Sequence, residues 1–233
     1  MAYKLVLLLR PREGVSPEGF TEAWLELDRQ DPVIAPGLAN YVFDSPPLAG
    51  LVPIANAHVV EFSAAIETWW EKKSAAADWV ASPHFVKVWL PRRLELLAGQ
   101  PAAIGGVPRL LWGREVSGKA GEVKVIVLPV GLRRLRFQEF VDHWTGVHAQ
   151  LALGGPRTKE RLVRLEDTPA VGAPSLFERT RYDGVGTLTF ESRDALAAEF
   201  GSDYYRENLA PDESRFADPA LSAGLLTSPV TLR

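Results

Sequence analysis

Phe137 to Leu151 reads FQEFVDHWTGVHAQL. At about 100° per residue, Phe137, Phe140, Val141, Trp144, Val147 and Leu151 share one apolar face of a helix, and His148 falls among them. A helix of this kind docks on a sheet. His148 is then a titratable group directed at an apolar interior, either a hydrogen-bonded core residue or an acid/base beside a cavity. His143 lies nearer the edge of that face, and Asp142 points away. Because His143 and His148 are five positions apart, a regular helix does not bring them onto one face as an i, i+4 pair would.

Around this helix the second half of the chain alternates strands and helices. Val123 to Val130 (VKVIVLPV) reads as the strand before it, and Arg161 to Glu166 (RLVRLE) as the strand after it. Gly184 to Phe190 (GVGTLTF), a helix over Ser192 to Phe200 and a final strand in Leu225 to Leu232 complete the unit. The first half follows the same order. Tyr3 to Leu9 is an apolar strand. Ser16 caps a helix opened by Pro17 and running to about Ala35, and Leu38 to Asp44 is a strand. Ala57 to Phe62 reads as a further strand. A helical region from Ser63, carrying Trp69, Trp70 and Trp79, and a last strand over Gly105 to Trp112 follow.

The two halves are repeats. Phe20 and Trp24 recur as Phe140 and Trp144, and Ala81-Ser82 as Gly201-Ser202, all 120 positions on. Each half, residues 1–115 and 121–233, reads as a ferredoxin-like βαββαβ unit, with the polar stretch Gly113 to Glu122 as linker. An antiparallel sheet covered on one face leaves the other face to bury. The α+β fold expected is therefore two ferredoxin-like units whose sheets pack into an intramolecular α/β barrel, with a ligand cavity between the sheets.

Composition narrows the function. The chain has 233 residues, 46% of them hydrophobic and 24% charged, which indicates a soluble globular protein. A net charge of −3 and only short basic clusters argue against nucleic acid as a partner. No apolar run is long enough to span a bilayer, and Arg10 interrupts the N-terminal run too early for a signal peptide, so a cytoplasmic location is the default expectation. Without cysteine there is no disulfide, no thiolate nucleophile and no cysteine-ligated metal. The four histidines, His58, His84, His143 and His148, show no metal-binding spacing, so neither metal nor cofactor is expected.

The second half resembles the EthD-like family of the dimeric α/β-barrel superfamily. The likeness rests on Phe140-x-x-x-Trp144-x-x-x-His148-Ala149, on Tyr182-Asp183-Gly184 entering a strand that ends Thr189-Phe190, and on Ser202-Asp203 followed by Asp212-Glu213. The resemblance implies a small, often cofactor-free protein of catabolic or polyketide chemistry, and it maps the family's helical histidine onto His148. In the first half Asp28 stands at the position of His148, which points to one working site and one degenerate copy.

The expected catalytic set is His148 as general acid or base, Asp183 as its orienter, and Tyr204 or His143 as second proton carrier. Trp144, Tyr182, Tyr205 and His84 are the expected substrate-binding side chains. The reading is proton transfer on a hydrophobic aromatic or polyketide-like molecule, as a lyase or isomerase, in a monomer or homodimer. An oxygenase or haem barrel using His148, and a non-enzymatic binding protein, are the alternatives.

Overall fold

The computed structural model describes residues 2–46, 62–113 and 118–233. Tyr3–Leu9 (β1), Leu38–Ser45 (β2), Ala64–Trp70 (β3) and Ala102–Gly106 (β4) form one antiparallel sheet in the order β2-β3-β1-β4. Arg109–Trp112 (β5) crosses to the second sheet. There Val123–Leu128 (β6), Leu162–Pro169 (β7), Gly184–Phe190 (β9) and Ala223–Thr231 (β10) take the matching order β7-β9-β6-β10, while the short β8 (Glu178–Arg179) lies parallel to β4. The sheets join at two seams. Ser228–Thr231 pair with Val42–Ser45 at one, and at the other Gly106 bridges Ala170 while Val171 N donates to Gly105 O at 2.8 Å. The result is the expected intramolecular α/β barrel of two ferredoxin-like layers.

The space between the sheets, expected to be the cavity, is filled. Val6, Leu8, Ile126, Leu128, Val185 and Leu225 pack one end of it. The other end holds Lys4, Lys124 and Arg164 against Asp44, Glu67 and Glu166, every one of them buried. Lys4 Nζ lies 2.8 Å from Glu166, Lys124 Nζ lies 2.7 Å from Asp44, and both lysines touch Glu67. Arg164 Nη2 reaches Glu166 at 2.5 Å. Three cations thus face three carboxylates, and long side chains from both sheets meet at the centre of the barrel.

Several local expectations change for physical reasons. The first helix, α1 (Pro17–Gln30), opens as expected with Ser16 Oγ accepting from Gly19 N at 3.1 Å, but ends five residues earlier than Ala35. Pro32 disfavours helical geometry at Asp31, whose φ and ψ are −143° and 72°. Trp69 and Trp70 lie in strand β3, not in a helix. All seven residues of β3 are buried, so the alternation that marks a half-exposed strand is absent. Trp69 Nε1 donates into the barrel to Glu166 at 3.0 Å, while Trp70 packs outward on Trp79. The expected strand over Ala57 to Phe62 lies outside the described residues except for Phe62, which precedes β3. Gly105 to Trp112 is two strands serving different sheets, because the chain leaves β4 at the seam and pairs with β7.

Helices cover the outer faces. In the first half α2 (Lys73–Ala81), a π-helical turn over Phe85–Trp89 and α3 (Leu90–Leu94) follow β3. In the second half, α4 (Phe137–Asp142), a π-helical turn over His143–His148 and α5 (Ala149–Leu153) form the helical stretch, followed by the short α6 (Thr158–Arg161). Then α7 (Arg193–Phe200), a π turn over Tyr205–Leu209 and α8 (Ala210–Phe216) complete the layer. The π turns at 85–89 and 205–209 are 120 positions apart, and each precedes a proline, Pro91 or Pro211, that cannot donate its backbone hydrogen bond. Among the described residues no helix is long and apolar enough to cross a membrane.

Candidate active site

The helical stretch from Phe137 to Leu153 is not a regular α-helix. Thr145 Oγ1 donates back to Val141 O at 2.9 Å, Gly146 follows, and the backbone widens so that Ala149 N reaches Trp144 O. This widening matters for the histidines. On an α-helix, residues five apart diverge by about 140°. In the π turn they come to one side, and both His143 and His148 reach one carboxylate.

That carboxylate is Asp212, on α8. His148 Nδ1 is 3.0 Å from Asp212 Oδ2, and His143 Nε2 is 3.0 Å from Oδ1. Asp212 is buried, and Phe216, one turn later, lies against both imidazoles at centroid distances of 5.2 Å and 5.0 Å. Burial lowers the pKa of His148, and it outweighs the opposing pull of Asp212; His143 adds to the lowering. His148 is then neutral near pH 7. A neutral imidazole beside a carboxylate keeps its proton on the nitrogen that faces it, here Nδ1, which leaves the Nε2 lone pair as a base.

His148 lines a cavity of about 330 Å³ between the second sheet and its helices. Val127, Leu165, Leu188, Phe190 and Leu209 supply much of the wall, and Trp144 covers the floor. The indole lies on glycines. A Cβ at Gly184 would stand 2.6 Å from Trp144 Cζ3, and one at Gly186 3.2 Å from Cζ2. Tyr205 also lines the cavity, and its hydroxyl donates to Glu213 at 3.0 Å. Burial raises the pKa of both groups; the neighbouring Asp212 also raises Glu213, against the effect of the Tyr205 bond.

The remaining expected residues lie elsewhere. Asp183, expected to orient His148, accepts from Gly131 N at 2.8 Å and ties down the loop after β6. Tyr204 donates to Leu151 O at 3.0 Å, a helix-to-helix tie. Tyr182 packs on the barrel-interior cluster, and His84, half exposed in the first half, pairs with Asp31 at 2.9 Å. The group that sequence reasoning missed is Asp212. It stands in the Asp212-Glu213 pair of the family pattern, but its partners lie 64 and 69 positions away, and no spacing rule connects them.

The first half packs the corresponding positions differently, and its own cavity of about 770 Å³ opens beside Asp28, Val33 and Tyr41. Trp79, Phe85 and Trp89 occupy the positions that Glu199, Tyr205 and Leu209 hold 120 residues later. Phe85 stacks on Trp89 and Trp79 meets both edge-on, at centroid distances of 4.6 to 5.3 Å, so aromatic rings fill the place of the second-half cavity wall at these positions. At the position of His148, Asp28 is buried against Arg93 at 2.5 Å and accepts from Tyr41 Oη at 3.1 Å.

Fold and site together define an α/β-barrel protein with a histidine–aspartate pair on a largely apolar cavity. The EthD domain family matches residues 133–220, and both the histidine pair and Asp212 fall within the match. No curated protein sequence matches the chain. Solved structures share the fold along the whole length. A candidate monooxygenase from Fusobacterium nucleatum is 7% identical, covering 100% of this chain and 93% of its own, with a TM-score of 0.62. An anthrone oxidase-like protein is 12% identical over 99% of this chain and 88% of its own, with a TM-score of 0.61. A chlorite dismutase variant from Candidatus Nitrospira defluvii is 13% identical over 98% and 91%, with a TM-score of 0.52.

Proposed function

We propose that the protein is an enzyme that moves a proton on a small hydrophobic molecule, aromatic or polyketide-like, with His148 Nε2 as general base and Asp212 holding the imidazole. The observation that carries this reading is the 3.0 Å contact from His148 Nδ1 to a buried carboxylate at the wall of an apolar cavity. Asp212 fixes the tautomer and stabilises the imidazolium that forms when the base is protonated. His143, on the same carboxylate, is a second proton carrier in this scheme. The lyase or isomerase outcome depends on what the resulting carbanion does next: return of the proton to another carbon, or loss of a β-substituent.

Deprotonation is also the first step towards oxidation, because an enolate or phenolate is the electron-rich form that reacts with dioxygen. The monooxygenase and anthrone oxidase-like descriptions of two proteins with this fold favour that second reading. One experiment separates them. Anthrone and 2-tetralone, incubated with the protein in deuterated buffer, are followed by proton NMR and an oxygen electrode. Deuterium uptake without oxygen consumption, reduced roughly 10²-fold or more in His148→Gln, is the expected result. Oxygen consumption that depends on His148 would select the oxidative reading, and no exchange or consumption with any carbon acid would sink both.

A further inference from the structure

Among the polar side chains on the cavity wall, almost all are engaged within the protein. Thr158 donates to Glu199, which also receives Arg161 at 2.9 Å, and Tyr205 donates to Glu213. Ser214 donates to Pro211 O at 2.8 Å, and Ser222 Oγ accepts from Val130 N at 2.9 Å. Asp167 differs. It lies on β7, 4% exposed, and lines the same cavity, yet among the described residues no hydrogen bond reaches its carboxyl. Its position is defined from two sides. A Cβ at Gly186 would lie 3.1 Å from Asp167 Oδ1 and 3.2 Å from Trp144 Cζ2, so the carboxyl borders the indole on the sheet side of the cavity. Trp144 is four residues before His148, so His148 enters from the helix side.

We infer that Asp167 is the second polar contact of the ligand, donating a hydrogen bond to a carbonyl or phenolic oxygen while His148 Nε2 faces the carbon or oxygen that loses the proton. This rests on the proton-transfer reading and names its substrate class: a flat apolar molecule with an oxygen that becomes negative. Burial and the neighbouring Glu166 push the Asp167 carboxyl well above the ordinary carboxylate range, against the opposing effects of Lys4 and Arg109, and so favour the protonated donor. Arg109, opposite Asp167 in the β5–β7 register, is committed to Thr145 Oγ1 at 2.6 Å. In the step itself the C–H bond breaks, its proton goes to His148 Nε2, and its electron pair enters the new C=C bond. The charge then resides on the oxygen, which accepts from the Asp167 O–H; Asp167 keeps its proton. A neutral carboxylic acid in an apolar site acts as an oxyanion donor in this way.

The test uses 4-nitrophenolate as oxyanion probe, followed by its absorbance on titration with wild-type protein, Asp167→Leu and Asp167→Asn. The expected result is saturable binding weakened roughly tenfold or more in Asp167→Leu and kept within about threefold in Asp167→Asn, which retains a donor. Infrared difference spectra of wild type against Asp167→Asn give a second readout should the leucine variant fail to fold. A protonated carboxyl band that is missing in the variant and moves on addition of 4-nitrophenol supports the assignment. No saturable binding by wild type, equal affinity in Asp167→Leu, or absence of that band overturns it. Binding that depends on Asp167 with no deuterium exchange on any ketone would leave this contact standing and remove the proton-transfer reading instead.

Discussion

His148 Nδ1 and Asp212 Oδ2 are 3.0 Å apart, on helices 64 residues apart in the chain, with the imidazole at the cavity wall and the carboxylate buried behind it. The base holds its activity only while neutral, and burial lowers its pKa below the ordinary value of about 6.5. The exchange rate kcat/KM should therefore be flat across neutral pH and fall on the acid side, below 6.5. Asp212→Asn removes an interaction that raises His148, so the acid limb should move to still lower pH while the plateau drops roughly 10²-fold. NMR titration of the His148 ring protons in both proteins checks the shift. A limb unmoved in Asp212→Asn would mean that the pair is not coupled.

The same lowering has a consequence for stability. The unfolded imidazole binds its proton at a higher pH than the folded one, so protonation favours unfolding. The contribution of His148 is intact above about pH 6.5 and is lost as pH falls towards its folded value. Urea midpoints measured for wild type and His148→Gln from neutral to mildly acid pH should converge as the pH falls. Parallel curves would contradict the linkage.

Leu209 and Trp89 occupy the same place in the two halves, one lining the cavity and one packed among aromatic rings. Leu209→Trp should occupy the cavity and abolish 4-nitrophenolate binding, at a cost of about 1–3 kcal/mol from added volume. Trp89→Leu should cost about 3 kcal/mol or more by opening a hole among Trp24, Trp79 and Phe85, without affecting that binding. Calorimetric melting and the probe titration read the two effects separately. Retained binding in Leu209→Trp would place the ligand elsewhere.

Lys124 contacts Asp44 and Glu67 within the barrel, and all three side chains are buried. Lys124→Met should cost about 3–5 kcal/mol by urea unfolding, because Asp44 then loses its cation partner at 2.7 Å while Glu67 keeps Lys4. Replacing Asp44, Glu67 and Lys124 together by apolar residues of similar volume should recover much of this loss. A single variant as stable as wild type would show that the pair contributes nothing net.

Much of this molecule follows from local pattern. The apolar face of Phe140, Val141 and Trp144, the Ser16 cap ahead of Pro17, the repeat spacing of 120 and the strand runs of β1, β6 and β9 are set by neighbours in the chain, and local rules suffice to read them. The resemblance of the second half rests on the same short-range spacings, and it directs attention to His148. Tertiary structure decided the rest. Strand β3 hides its alternation because the barrel buries both of its faces, and β5 joins the other sheet because the seam lies between Gly106 and Ala170. The cavity lies on the helix side because long charged side chains from both sheets meet inside the barrel and fill it. His143, His148 and Asp212 come together only through a π turn and a packed pair of helices, and the energies that produce them act between residues distant in sequence. Composition and periodicity carry no record of such contacts.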